Sequence, residues 1–364
     1  MLITRRSKKC RTPIGLDVGA KGVRAAQLTR NADGWTVFAV GACERGRSPS
    51  GDVVPQASGQ LLRMVTTPDR FCGRDAIAVM SGPDVEYFAL QLPEGVLKSG
   101  DEKLHQIVGA EVARLMGSDG NGVVSHFWRS PAGKPLSPNV VGIGATPDKV
   151  RALLASIDDA RLSCLVVEPA ALALSRLGSL LCNPGENELW GLLDLGARQA
   201  RLVLCLGNAP VLGRPVGSGV DDWVRRVSEM LEVSEKSAVV HLREHGVAAP
   251  GGRDAGERHA RRDSLAGLIT GALRCPLRSM ISEMQRSVSY AKQCYPDRDF
   301  RRLVAVGRGS VVPNVSSYLR YALGLEVRRA SDFLCDDRCR LSCSTACVQP
   351  LELIALAVGA VLST

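Results

Sequence analysis

The feature that most constrains this chain is a stretch that occurs twice. Residues 13–30, PIGLDVGAKGVRAAQLTR, carry an apolar run into Asp17, a glycine two residues on, and a second apolar run. Residues 189–206, LWGLLDLGARQARLVLCL, repeat that order around Asp194 and Gly196. Alternating positions in Val23-Arg24-Ala25-Ala26 and Arg201-Leu202-Val203-Leu204 support strands. Each unit predicts strand, turn, strand, with more strand and helix behind it, as a duplicated α/β lobe would look. A third glycine stretch, RRLVAVGRGSVVPNVSSYLRYALGLEV, predicts a strand from Leu303 to Val306 and a GRGS turn. A helix through Val315, Leu319 and Ala322 follows, then a second strand after Gly324.

One Asp-x-Gly is uninformative, since chance supplies several in a long chain. Two at matched strand-turn-strand positions are specific. A strand-end carboxylate beside a glycine turn holds a hydrated Mg²⁺ and leaves backbone N–H groups aimed at a phosphate. Two such loops would clamp the β- and γ-phosphates from opposite sides, and the GRGS turn would let a flat adenosine lie on bare backbone.

Other properties bound the class. A length of 364 residues exceeds the roughly 250–300 that one core sustains, so two lobes are expected. No run approaches the roughly 18 apolar residues of a membrane span; the nearest, LELIALAVGAVL, carries Glu352. The N-terminus, MLITRRSKKCR, lacks the apolar stretch of a signal peptide, so a cytosolic protein is expected. Its 12 cysteines then read mostly as reduced thiols. A net charge of +9 with scattered basic residues and only 4% aromatics argues against a base-stacking nucleic-acid surface. It suits an anionic ligand or the anionic inner leaflet. Arg5, Arg6, Lys8, Lys9 and Arg11 form either a membrane-touching tail or a solvated one.

These motifs resemble the actin-like ATPase superfamily, and within it the PilM family of type IV pilus assembly proteins, with FtsA as a more distant relative. IGLDVGAKGVRAAQL and LLDLGARQARLVL look like the two phosphate loops, and LSCLVVEPAALAL like the segment joining the lobes. SEMQRSVSYAK resembles the helix beneath the nucleoside, VAVGRGSVVPNVSSYLRYALGLEV the adenosine loop, and ELIALAVGAVL the helix returning to the first lobe. The resemblance implies an α/β, two-lobed actin-like ATPase fold of duplicated ribonuclease-H-like cores with a small inserted α+β subdomain. The first-lobe core with its tail takes residues 1–83, the inserted subdomain 84–161 and the connecting helix 162–187. The second-lobe core takes 188–222 and, with the adenosine loop, 300–333. Its outer subdomain, 223–299, carries an exposed loop at 244–264. A Cys-rich connection spans 334–349, and the C-terminal helix 350–364.

The resemblance implies ATP and Mg²⁺ as cofactors, with the metal held through water by Asp17 and Asp194. Nucleotide contacts would come from Gly19, Ala20, Lys21, Gly22, Gly196, Ala197 and Arg198. Glu283, Arg286, Ser287, Gly307, Arg308, Gly309 and Ser310 would supply the rest. It also implies a cytoplasmic scaffold, peripheral at the inner membrane, in a type IV pilus or type II secretion platform. The N-terminal cytoplasmic peptide of a PilN-like membrane protein would dock on the inserted subdomain. Pilus or secretion ATPases and a second copy are further partners to consider.

The loops depart from the family pattern. Hydroxyl residues are replaced by Ala20, Lys21 and Gly22 in the first loop, and by Ala197, Arg198, Gln199 and Ala200 in the second. The middle glycine of the third is Arg308. Lys21 and Arg198 would either grip phosphate through charge-assisted contacts or stand solvated on loops that bind nothing. Glu168 is the one candidate to orient water for hydrolysis; the competing reading is a structural carboxylate capping a helix that begins near Pro169. Turnover is expected to be slow or absent, and a small-molecule kinase is a rival reading.

Two further patterns read as bland. HLREH at 241–245 matches an inverted zinc-peptidase signature but sits in a helix without a third ligand. Cys335, Cys339, Cys343 and Cys347 recur every fourth residue; on a helix they would form one stripe too long for a single zinc. Reduced thiols in a variable loop are expected instead. His259 has no assigned role.

Overall fold

The computed structural model describes residues 11–31, 34–46, 57–118, 122–135, 137–250, 264–337, 339–344 and 349–363. Arg5, Arg6, Lys8, Lys9, His259, Cys347 and most of the 244–264 loop lie outside these residues.

The first repeat builds an antiparallel meander from β1 (Ile14–Gly19), β2 (Gly22–Asn31) and β3 (Gly34–Glu44). β4 (Asp75–Met80) and β8 (Ser163–Pro169) extend it in parallel, β4 on β1 and β8 on β4. The second repeat does the same. β9 (Leu189–Leu195), β10 (Gln199–Leu206) and β11 (Ala209–Ser218) form the meander, and β12 (Phe300–Val306) and β13 (Glu326–Arg329) add in parallel. Order and direction therefore match between β3-β2-β1-β4-β8 and β11-β10-β9-β12-β13. The two-lobed fold of duplicated cores expected from the sequence is observed.

Two helices occupy the space between these sheets. α5 (Ala170–Cys182) and α10 (Leu351–Ala360) are apolar around most of their circumference, the pattern of a helix with no solvent face. Leu174 and Leu177 of α5 join Ile354 and Val358 of α10 in one cluster with Leu28 of the first sheet and Leu192 of the second. Close approach is possible because glycine lies at the contact. A Cβ on Gly15 would overlap the Ala357 carbonyl, and one on Gly359 the Ala173 carbonyl.

α1 (Ser58–Val65) covers the first lobe, together with α4 (Pro147–Asp159), whose Ile157 is buried in that lobe's core. Between them in the chain comes a small antiparallel sheet of β5 (Glu86–Leu90), β7 (Val140–Ala145) and β6 (Val124–Arg129). α2 (Glu94–Leu97) leads into α3 (Asp101–Leu115), which buries Leu104, Val108 and Val112 at four-residue spacing on this sheet. The small subdomain also reaches the second lobe. Trp128 Nε1 donates to the Pro210 carbonyl at 2.7 Å, Ser130 Oγ lies 3.0 Å from the Tyr295 hydroxyl, and Lys134 N donates to the Cys294 carbonyl at 3.0 Å.

The second lobe is completed by α6 (Val220–Leu231), α7 (Glu235–Glu244), the long α8 (Leu265–Cys294) and α9 (Val315–Leu323). His241 and His245 lie at the end of α7, with Gly246 at φ 59° beyond it, a helix terminus in the left-handed region. Among the described residues no cluster of three or more His, Cys, Asp or Glu is placed to hold a metal. Leu341–Cys343 forms β14, which pairs in parallel with β3 at the edge of the first sheet. Cys335 is exposed, and Cys339 Sγ lies 3.3 Å from the Leu341 carbonyl. No helix among the described residues is long and apolar enough to cross a membrane.

Candidate functional site

Both Asp-x-Gly hairpins point at one cavity of about 340 Å³ between the lobes. The strands run further than a turn at Asp-Val-Gly predicts. β1 continues through Asp17 to Gly19, which pairs with Gly22 and leaves Ala20 and Lys21 as the turn. Successive side chains alternate faces, so Asp17 and Gly19 share the cavity side. In the second hairpin β9 ends at Leu195, and residues 196–198 form the turn. That turn is fixed from behind by the start of α6. The amides of Gly219, Val220 and Asp221 donate to the carbonyls of Arg198, Gly196 and Ala197 at 3.0, 3.0 and 2.9 Å.

The cavity wall brings together Asp17, Gly19, Ala20 and Lys21 with Asp194, Gly196, Ala197 and Arg198, and adds Gly307 and Arg308 after β12. Gly307 has φ 82°, and a Cβ there would stand 2.5 Å from Asp194 Oδ1 and 2.7 Å from the Leu195 carbonyl. Only a glycine allows that approach.

The remaining sequence-predicted residues do not form this wall. Gly22 packs its bare backbone on the Cys43 carbonyl. Glu283 on α8 pairs with Arg214 at 2.9 Å and Arg286 at 2.5 Å. Ser287 is buried and donates to the Glu283 carbonyl at 2.7 Å. Gly309 is packed against Leu195 and Trp223, and Ser310 Oγ donates to the Gly307 carbonyl at 2.7 Å. Glu168 ends β8 away from the cavity, where Arg176 Nη2 of α5 donates to its Oε2 while Oε1 is buried without a partner. It forms no cap, since α5 has no side-chain hydrogen bond at its start and Pro169 occupies the N-cap. Burial pushes the Glu168 carboxyl up to about 7, with Arg176 opposing.

Sequence reasoning missed the partners of the two aspartates. The hairpin register sets Arg24 opposite Asp17 and Arg201 opposite Asp194, the same offset in both lobes. Arg24 Nη1 lies 3.3 Å from Asp17 Oδ2. Arg201 is 3% exposed, donates across the cleft to the Gly82 carbonyl and lies 5.8 Å over the Tyr87 ring. The signal was present as a repeat, Asp-x-Gly followed by an arginine at one spacing, but only strand register turns that spacing into a pair. Burial raises both carboxyls above their ordinary range, that of Asp194 to about 6; Arg201 opposes this for Asp194 and Asp17 adds to it, while Arg24 opposes it for Asp17.

Two ion pairs also cross the cleft. Lys21 reaches Asp221 of α6 at 2.9 Å, and Arg308 reaches Glu44 of β3 at 2.5 Å. Among the described residues lining the cavity, seven cationic side chains face four carboxylates, a surplus of three positive charges. One carboxylate, Glu352, is already engaged by the Ser331 amide and hydroxyl. This donor set fits a polyanion. It does not fit a bare pair of metal-holding carboxylates, because Asp17 is ion-paired to Arg24 and the cavity already carries the buried Arg201 beside Asp194 in register.

No family model matches the chain, and no curated protein does. Among solved structures, the PilM-PilN type IV pilus biogenesis complex is similar, with a TM-score of 0.72 over 97% of this chain and 98% of that one at 18% identity. The ethanolamine utilization protein EutJ from Carboxydothermus hydrogenoformans gives a TM-score of 0.51 over 98% of this chain and 90% of that one at 11% identity. At such identities the likeness is one of fold. The chain has the two-lobed actin-like fold, in a form similar to PilM.

Proposed function

We propose that this protein is a nucleotide-binding scaffold of a type IV pilus or type II secretion platform. On this reading, ATP biases its hold on a membrane partner. The observation that carries the reading is the convergence of both Asp-x-Gly hairpins and the Gly307 turn on one cation-rich cavity between two lobes. The phosphates lie between the hairpins, where Lys21, Arg198 and Arg308 exchange protein contacts or water for phosphate oxygens. Because Lys21 and Arg308 now tie the lobes to each other, anion binding shifts the balance of lobe positions.

The inserted subdomain is the surface that responds. Its segment after β6 is tied to the second lobe at Cys294 and Tyr295, the far end of the helix that carries Glu283 and Ser287. A lobe displacement is therefore felt at the subdomain. Likeness in fold to a PilM-PilN complex supports the N-terminal cytoplasmic peptide of a PilN-like protein as its ligand. The scaffold would then sit at the cytoplasmic face of the inner membrane through that peptide. Hydrolysis is not part of the reading, since Glu168 is committed to Arg176 and is not among the residues lining the cavity.

A second reading, a scaffold whose cleft is empty in use, is favoured by one observation. The nucleoside-side residues Glu283, Ser287, Gly309 and Ser310 are all engaged within the protein. Calorimetry separates the two. ATP is titrated into the full chain, and the PilN-like peptide into chain with and without ATP. Micromolar ATP binding (about −8 kcal/mol) with a peptide affinity that changes in its presence supports the first reading. Peptide binding without ATP binding supports the second, and absence of both removes the assignment.

A further inference from the structure

This inference rests on the nucleotide reading and concerns what accompanies the phosphates. A cleft that takes a metal–nucleotide complex needs carboxylates free to hold the hydrated cation. Here each cleft aspartate has an arginine opposite it in the register of its own hairpin: Arg24 is ion-paired to Asp17 at 3.3 Å, and Arg201 stands across from Asp194 while donating to the Gly82 carbonyl and Gln199. The register that places an arginine opposite the aspartate is duplicated in both lobes, so it does not follow from one accidental rotamer. Two aspartates with two arginines carry no net charge, the same total as two aspartates with one divalent cation. The remaining charged side chains of the wall leave the surplus of three positive charges.

Arg201 supplies an independent observation. It lines the cavity and is 97% enclosed, yet its Nε is buried without a hydrogen-bond partner. A buried guanidinium N–H without an acceptor is costly, and an anion in the cavity is the ligand that satisfies it. A divalent cation added to the cavity would be repelled by both guanidinium groups.

We propose that the cleft binds the polyphosphate of a nucleotide without a divalent cation, Arg24 and Arg201 supplying the positive charge that a metal would otherwise bring. The two arginines are placed by cross-strand register and both line the cavity. Mg²⁺ is then a competitor, because it sequesters ATP in a form the cavity disfavours.

The experiment is calorimetric titration of ATP into the full chain, once in excess EDTA and once in excess Mg²⁺. The expected result is binding in EDTA at least as tight as in Mg²⁺. The variants Arg24→Gln and Arg201→Gln are expected to lose tenfold or more in EDTA (about 1.4 kcal/mol) and to recover part of it in Mg²⁺, because the positive charge that repels the metal is then removed. A merely misfolded variant would not gain a metal dependence. Wild-type binding that is tenfold tighter in Mg²⁺ than in EDTA overturns the proposal and leaves the nucleotide reading standing. Absence of ATP binding in both media overturns both, and unchanged EDTA binding in the two variants removes the arginines from the account.

Discussion

Replacing the second-lobe cleft acid by its neutral isostere should make this protein more stable. Asp194 lines the cleft, and burial lifts its carboxyl from 3.8 to about 6, with Arg201 only partly offsetting. An acid whose folded-state pKa lies above its unfolded value weakens the fold when ionised. The penalty is fully present above the folded value, and it fades as pH falls through 6 toward 4. About 2 units at about 1.36 kcal/mol each give a penalty of about 3 kcal/mol at pH 7 and about 0.5 kcal/mol at pH 4. Asp194→Asn keeps the shape and removes the charge, so its gain should follow that curve. Guanidinium unfolding of both proteins at several pH values measures it, followed by the fluorescence of Trp190 and Trp223, which are buried in the same lobe. The titration of Glu168, raised to about 7, is common to both proteins and cancels in the difference. A variant less stable than its parent at pH 7, or equally changed at pH 4, would refute the argument. It would mean that Asp194 makes a contact worth more than its desolvation. A gain that comes with lost ATP affinity would mark Asp194 as a residue kept for function at the expense of stability.

Two other substitutions test the packing that frames the cleft. Gly15→Ala sets a methyl against the Ala357 carbonyl of a helix with no open side to retreat into, and should cost about 2–3 kcal/mol by thermal melting; an unchanged melt would show that the layer between the sheets is loosely packed. Trp128→Phe keeps a ring at the subdomain boundary but leaves the Pro210 carbonyl without its donor, at about 1 kcal/mol. Faster hydrogen exchange along β6 should report it, and unaltered exchange would deny that this bond holds the subdomain to the second lobe.

Much of the architecture was legible because it depends on local patterns. The duplicated alternation around Asp17 and Asp194 specifies two hairpins, and the helix that the resemblance implies at the C-terminus is found at Leu351–Ala360. The third glycine stretch matches strand, turn, helix and strand. The Cys-rich segment was not legible. Three residues become strand β14 only because β3 offers a free edge, and that edge exists only after the meander has formed. The committed state of Glu168 was also hidden, since Arg176 reaches it from the next helix and lies beside the Gly359 carbonyl of a helix at the other end of the chain.

By itself, then, the sequence determined that there are two like lobes and that each opens with a strand-turn-strand unit carrying a glycine beside an aspartate. Side-chain period and glycine placement carry that information, and both act over a few residues. Only the tertiary structure decided what the acidic and basic groups of the loops do. Arg24 and Arg201 stand opposite the aspartates because of strand register, and Lys21 and Arg308 span the cleft because α6 and β3 place Asp221 and Glu44 within reach. Coulombic interactions depend on distance and enclosure rather than on order along the chain, so whether a carboxylate waits for a metal or answers an arginine is settled only when the lobes are folded.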